Sequence, residues 1–148
     1  MDYCQNRYVE MSIGLEITSE FLQLNEVDTF LGLLHTRGFN KGEGNTQAGP
    51  PYGAWTYESN IINQGDDFDD HIVFLLSIFE PIKDRLNYYI NSPDYIVAIR
   101  IFYRNNIDIA SINIDSSFIS RLSRLCNKFY ISLIGDTEED FKAKIFKF

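Results

Sequence analysis

Residues 8–17 read YVEMSIGLEI, and every odd-numbered position in this stretch is apolar. Strict alternation over this length is the period of a β-strand that buries one of its two faces. We therefore predict a strand here, and with it a sheet that needs cover on one side. The apolar positions are Val9, Met11, Ile13, Leu15 and Ile17.

The segments that follow this strand predict a helix, a loop and a second strand. Apolar spacing predicts a short helix over 26–34, with Asn25 as its N-cap. Glycine and proline crowd residues 38–53, which predicts a long loop. Residues 54–59 then form a strand that carries Trp55 and Tyr57 on one side.

The longest apolar pattern predicts the main helix. Apolar residues repeat at spacings of three and four from Ile72 to Leu86, and the helix should run to about Tyr89. Pro81 lies inside this pattern and lacks an amide proton. It either bends the helix or divides it by opening a second helical segment.

The second half of the chain predicts a hairpin, a helix and a last strand. Strands over 95–103 and 107–114 are joined by a tight-turn sequence, so we predict that they pair. A helix capped around Asp115 and a strand over 129–134 follow. The tail after Gly135 predicts a short amphipathic helix that docks on another surface, or forms an oligomer contact, through Phe141, Ile145 and Phe148.

This order, βαβαββαβ, predicts an α+β fold: one mixed, mainly antiparallel five-stranded sheet with helices largely on one face, plus a short C-terminal helix. A chain of 148 residues with 45% hydrophobic residues can bury one core. We expect a single domain over 1–148, with a core over 8–134 and a tail over 135–148. One face of the sheet should remain uncovered.

The excess of acidic over basic residues limits the kinds of molecule that this protein is expected to bind. Acidic residues outnumber basic ones 21 to 13, and the formal net charge is -8. This sign repels phosphate backbones, because affinity for nucleic acid depends mainly on lysine and arginine. We expect no nucleic-acid partner, and a basic protein partner would be attracted instead.

The cysteines and the apolar runs indicate a cytoplasmic protein. Cys4 and Cys126 lie in neither a CxxC motif nor a Cys/His cluster, which argues against a disulfide framework and against zinc. The N-terminus lacks a signal-peptide pattern, and the longest apolar run, 72–79, is too short for a membrane span. We expect a cytoplasmic location, no membrane association and no cofactor.

The candidate chemical groups all have a structural interpretation that we favour. The aspartates before the main helix lack the ligand spacing of a calcium loop and suit the positive end of a helix dipole, so we predict no metal. His35 and His71 would need a nucleophile or carboxylate in a cleft to act as acid or base. Lys41 precedes a glycine outside any phosphate-loop spacing, and we predict no catalytic residue.

Several short motifs support a family resemblance. They are the first strand, Leu31-Gly32-Leu33 with Thr36, Lys41-Gly42, Trp55 to Ser59, His71-Ile72, Phe79 to Leu86, the hairpin, and Tyr130-Ile131-Ser132. The chain resembles a small bacterial family of domains of unknown function, number 4279, over residues 8–134. The resemblance implies the fold, but its members have no agreed enzymatic role and no catalytic residues to transfer. This chain has His35 where the family tends to have proline, and the tail after Gly135 looks like an extension.

These observations favour a non-catalytic protein-binding domain, of the immunity type that neutralises a bacterial toxin by occluding it. The alternatives are a homodimeric small-ligand-binding or housekeeping domain and, with less support, an enzyme that uses His35 or His71 with Lys41. Carboxylates would meet a basic toxin surface, and aromatic residues would supply affinity. Core packing is the default interpretation of the strand aromatics, and an exposed binding face is the other. The candidate partner-binding residues are Glu10, Glu16, Trp55, Tyr57, Glu58, Asp66, Asp67, Asp69 and Asp70.

Overall fold

The described strands form one mixed sheet. A computed structural model of the chain describes residues 9–43, 50–59, 67–105 and 113–135. The five strands lie in the order β2-β3-β1-β4-β5, and all neighbours are antiparallel except β4 and β5, which are parallel. Their bounds are β1 Val9–Ser19, β2 Arg37–Phe39, β3 Gly53–Glu58, β4 Ile96–Asn105 and β5 Lys128–Gly135.

The described helices all cover the same face of this sheet. Three odd-numbered residues of β1 (Ile13, Leu15 and Ile17) and three of β4 (Val97, Ile99 and Ile101) lie in one core, which also contains buried apolar residues of the helices. Ile13, Leu15 and Ile17 are fully buried there, as the alternation in β1 predicts. The predicted α+β class, mixed sheet and one-sided helix layer are confirmed. The helices are α1 Leu24–Leu31, α2 Phe68–Phe79, α3 Lys83–Ile90 and α4 Ser116–Ser123, with a 3-10 turn at Glu80–Ile82 between α2 and α3.

The first helix begins and ends earlier than the predicted 26–34. Its N-cap is Gln23, which makes no side-chain capping bond, so Asn25 is not the cap. Gly32 ends the helix with φ 69°, a left-handed conformation that glycine adopts without steric cost. The spacing of apolar residues continues past this glycine, which is why periodicity alone placed the end too late.

Part of the predicted loop over 38–53 is a strand. Residues 37–39 pair with β3, and Gly38 lies opposite Trp55. A Cβ on Gly38 would come 2.5 Å from the carbonyl oxygen of Ala54, so glycine lets two backbones approach closely. The glycine that suggested a loop therefore allows a short edge strand. Residues 44–49 of that predicted loop lie outside the described residues.

Pro81 divides the main helix. The α-helical hydrogen bonding of α2 ends at Phe79, and Pro81 lies at the start of the 3-10 turn before α3. A proline at this position loses nothing, because the first amides of a helix have no intrahelical partner. Of the two predicted outcomes, the structure has the division.

The predicted hairpin after Tyr103 is wrong. One edge of β4 pairs with β1 from Val9 to Thr18, and its other edge pairs in parallel with β5 over Ala98–Asn105. Both hydrogen-bonding edges of β4 are therefore occupied, and α4 lies on the connection from β4 to β5. The predicted strand over 107–114 falls mostly outside the described residues, which exclude 106–112, and β2 supplies the fifth strand instead.

Aromatic rings fill the junction between β3 and α2. Trp55 and Phe79 are fully buried, and Tyr57 is nearly so. The ring of Phe79 meets the rings of Trp55 and Tyr57 edge to face, with centroids 6.3 and 5.7 Å away. Such edge-to-face contacts add to the free energy gained from burial alone.

Replacing Phe79 with alanine should lower the free energy of unfolding by about 3 to 5 kcal/mol, because it leaves a cavity against two rings that cannot collapse into it. Urea unfolding followed by tryptophan fluorescence measures this. Phe30→Ala is the matched control, since Phe30 is 43% exposed, and it should cost far less. Equal losses in the two variants would contradict the placement of the core.

Candidate functional site

The even-numbered residues of β1 lie on the face of the sheet that no described helix covers, which we call the open face. Direct strand pairing places Glu58, Gly14, Arg100 and Tyr130 opposite one another in a single row across β3, β1, β4 and β5. The sheet register therefore brings together side chains that are far apart in the sequence. Two adjoining concavities lie along this row, and they share Arg100 and Tyr130.

The first concavity lies over Gly14, and we call it the Gly14 concavity. It encloses about 370 Å³. Gly14 itself puts no side chain into this concavity, and the Glu58 side chain lies close to it, since a Cβ on Gly14 would come 3.3 Å from Glu58 Cγ. Small hydroxyl residues continue the floor, and Arg37, Phe102 and Tyr130 form the walls. The hydroxyl residues are Ser12, Thr56 and Ser132.

The second concavity, which we call the aromatic concavity, is larger at about 500 Å³. Four large apolar side chains with substantial exposure line it, and carboxylates from Glu16, Glu20 and Asp94 lie among them. Exposed aromatic groups gathered at one depression are a feature of protein-binding surfaces. The four side chains are Phe21 (57% exposed), Tyr52 (44%), Ile96 (40%) and Tyr130 (39%).

Two of the described ion pairs lie on the open face. Arg37 Nη2 lies 2.5 Å from Glu58 Oε1, and Arg100 Nε lies 2.9 Å from Glu16 Oε1. The Arg100 guanidinium also stacks over the Tyr130 ring, with its Cζ 4.5 Å from the ring centroid. Exposed ion pairs add little stability, so their main effect is to fix where the side chains point.

The structure separates the predicted partner-binding residues into three groups. Glu10, Glu16 and Glu58 lie on the open face, where Glu10 is exposed. Trp55 and Tyr57 lie in the core, which corrects the interpretation that placed them on a binding surface.

The acidic group lies in the helix layer at the start of α2. Asp67 is the N-cap, and its side chain accepts a hydrogen bond from the Asp69 amide. Asp69 and Asp70 occupy the first turn, so this group acts as predicted at a helix start. Asp66 and the tail residues lie outside the described residues. The tail residues are Phe141, Ile145 and Phe148.

His35 belongs to a hydrogen-bonded cluster around Asp28. The Asp28 carboxylate accepts bonds from the Trp55 indole at 2.8 Å and from the His35 amide at 2.9 Å, and it also contacts His35 Nδ1 at 2.9 Å. Burial raises the pKa of Asp28, but these hydrogen bonds outweigh it and hold the pKa below its usual value. The cluster joins the end of α1 to β3 and fixes the indole of the core tryptophan.

His71 contacts a serine, the residue pair that a nucleophilic site would use. Ser59 Oγ lies 2.7 Å from His71 Nδ1, yet Ser59 is 0% and His71 2% exposed. The same hydroxyl accepts a 2.9 Å hydrogen bond from the Ile13 amide. A nucleophile must reach a substrate, and neither residue lines the two concavities of the open face. The pair ties the end of β3 to β1 and α2.

The described residues show neither a metal cluster nor a membrane-spanning helix. Among them, no three His, Cys, Asp or Glu side chains are placed to hold a metal ion. No helix in the described ranges is both long and apolar enough to cross a membrane. Lys41 is exposed, and no described hydrogen bond or ion pair joins it to either histidine.

Sequence reasoning missed Arg37, Arg100 and Tyr130, which surround the Gly14 concavity. Each lies in a strand. The apolar residues of these strands indicate the face that is buried, and the sequence interpretation considered mainly that face. The available signal was parity within β1, whose even positions are polar or glycine. The β4 residues that they meet are mixed, since Arg100 and Arg104 alternate with apolar residues such as Ala98 and Phe102. The convergence of the three missed residues also depends on register, which no local pattern specifies.

Comparison with known protein families identifies the family of this chain. A model of the family described as "Domain of unknown function (DUF4279)" matches residues 9–135. The chain belongs to this family. The match covers every described strand and ends where β5 ends, at Gly135. No curated protein and no solved structure matches the chain.

Ser59→Ala should lower the free energy of unfolding by about 1 to 3 kcal/mol, because it leaves the buried Ile13 amide without a hydrogen-bond partner. Chemical denaturation measures the loss. Ser77→Ala is the control, since the Ser77 hydroxyl is exposed and bonds within its own helix. If the two variants were equally stable, the hydrogen bond between the Ile13 amide and the Ser59 hydroxyl would make no measurable contribution to stability.

The Asp28 cluster predicts a specific acid sensitivity. Since the folded pKa of Asp28 is lowered, its contribution to stability is present above the usual pKa of 3.8 and is lost as the pH falls through the folded value. Wild type should therefore lose stability more steeply than Asp28→Asn below about pH 4. Urea denaturation across this pH range checks it, and parallel curves for the two proteins would refute it.

Proposed function

We propose that this domain is a non-catalytic protein-binding module whose partner docks on the aromatic concavity of the open face. The observation that carries the proposal is the gathering of Phe21, Tyr52, Ile96 and Tyr130 around one depression. Binding energy at protein interfaces concentrates in a few buried aromatic anchors surrounded by polar groups. The concavity offers such anchors on the side of the sheet that the described helices leave open.

The electrostatics of the concavity favour a basic partner. Glu16, Glu20 and Asp94 line the same concavity as Tyr52 and Tyr130. A lysine or arginine side chain of a partner can contact both a ring face and a carboxylate there. The net charge of -8 acts in the same direction at longer range by speeding the encounter with a positively charged surface.

A cytoplasmic immunity protein is the specific form of this function that we propose. Such a protein occludes a toxin by surface contact, which requires no catalytic group. The chemistry of Cys126 is compatible with a reducing compartment: it is a free thiol, and burial raises its pKa to about 11, so it stays protonated. The toxin is expected to be encoded beside this chain in the genome.

The test uses the product of the neighbouring gene, purified in an inactive form, and isothermal titration calorimetry with this protein. Tyr52→Ala should weaken binding at least about tenfold, because it removes an aromatic anchor. Tyr88→Ala is the matched control, since Tyr88 is 60% exposed on α3 in the helix layer, and it should leave the affinity unchanged.

Two results would refute the proposal. One is the absence of binding by the neighbouring gene product, which would remove the immunity form. The other is an equal loss of affinity in Tyr52→Ala and Tyr88→Ala, which would place the partner elsewhere. Measuring the affinity at several salt concentrations separates the contribution of charge from that of the aromatic anchors, because attraction between charged surfaces weakens as ionic strength rises.

A second candidate function is a homodimeric small-ligand-binding or housekeeping domain. The observation that favours it is the edge strand β5, which pairs with β4 and with no other described strand. Its helix-side residues Phe129, Ile131 and Leu133 are partly exposed. An apolar edge of this kind pairs readily with a second copy. A monomeric mass in light scattering would exclude the dimer.

A further inference from the structure

Arg100 lines the Gly14 concavity, and its guanidinium is held in place by contacts that do not involve its two terminal nitrogens. Arg100 uses Nε for Glu16 and stacks on Tyr130. Its two terminal nitrogens, Nη1 and Nη2, make no hydrogen bond to any residue that the structure describes. The guanidinium therefore offers a planar pair of donors whose orientation is already set by the contacts on its other side.

The shape of the site follows from the glycine at position 14 and from the small hydroxyl residues around it. Glycine at position 14 adds no side chain to the concavity, whose volume of about 370 Å³ lies at the small end of the range for ligand sites. Hydroxyl groups of Ser12, Thr56 and Ser132 line it together with the Phe102 ring. These groups suit a small organic molecule with both polar and apolar parts.

The local charges select the kind of ligand. Arg37 and Arg100 are balanced by Glu58 and Glu16, so the site has no net excess of charge to attract anions of every kind. No residue that the structure describes accepts a hydrogen bond from Nη1 or Nη2 of Arg100, and a carboxylate matches these two nitrogens with two parallel hydrogen bonds. A multiply charged anion would meet two nearby carboxylates that repel it.

We propose that the Gly14 concavity binds a small organic monocarboxylate, with its carboxylate on Nη1 and Nη2 of Arg100 and its body over Gly14. This site adjoins the aromatic concavity but does not require a protein partner. A failure of the proposed protein-binding function would leave it standing, and its own failure would leave that function standing.

The experiment is a titration of the full chain, followed by NMR of the backbone amides and the arginine Nε–H groups. The probes are benzoate and acetate, with benzamide and acetamide as neutral counterparts and inorganic phosphate as a different anion. Benzoate and acetate should cause saturable shifts at Gly14 and Arg100. The neutral amides should bind at least about tenfold more weakly because they lack the negative charge. Phosphate should also bind at least about tenfold more weakly, because the carboxylates of Glu16 and Glu58 repel its second negative charge.

Variants assign the effect to the named groups. Arg100→Gln should abolish the shifts, and Arg100→Lys should weaken binding severalfold, since an ammonium lacks the planar fork. Arg124→Gln, on the exposed helix layer, is the control and should bind as wild type does. Gly14→Ala should weaken benzoate binding without touching Arg100, because the new Cβ enters the floor 3.3 Å from Glu58 Cγ.

Several outcomes would overturn the proposal. Equal affinity for benzoate and benzamide would show that the charge is not recognised, and equal affinity for phosphate would show that the carboxylate is not. Wild-type binding by Arg100→Lys or by Gly14→Ala would mean that the fork or the concavity plays no part. The amide spectrum of each variant establishes that it is folded, so loss of binding cannot be mistaken for loss of structure.

Discussion

The rest of the structure depends on the one-sided burial of the central strand β1. Its odd residues are apolar and fully buried from Ile13 to Ile17, while its even residues face away from the helices. A shift of one residue in register would turn every one of these side chains to the wrong face. Pairing with β3 and β4 on both edges holds that register. The helices pack against the buried face, and polar side chains such as those of Glu16 and Arg100 lie on the opposite face.

The sequence was sufficient for the parts of the fold that depend on periodicity. It predicted β1, the helix layer and the α+β class, because each follows from apolar spacing within one segment. It failed where backbone contacts between distant segments decide the outcome. Gly38 suggested a loop but permits a strand, and the expected hairpin is excluded because β5 occupies the edge of β4. The candidate site was poorly predicted for the same reason, since the row from Glu58 to Tyr130 exists only through cross-strand register.

Polar chemistry inside the domain is used for structure, and polar chemistry on the open face is available for binding. The Ser59–His71 pair has the residue types of a catalytic site, but it is sealed in the core and bonded to the Ile13 amide. Asp28 and His35 likewise fix the indole of Trp55. Arg100 is different, because its contacts with Glu16 and Tyr130 orient the guanidinium and no described residue hydrogen-bonds to its two terminal nitrogens. This contrast is the reason for interpreting the domain as a binding protein.

The central claim is that the sheet face opposite the helices is accessible in the folded protein. Hydroxyl-radical footprinting of the full chain, read by mass spectrometry, tests it directly because modification follows side-chain exposure. The account predicts strong modification of Tyr52 and Tyr130 and protection of Trp55 and Tyr57, which lie in the core. Protection of Tyr130 as complete as that of Trp55 would mean that another part of the molecule covers this face, and the account would be contradicted.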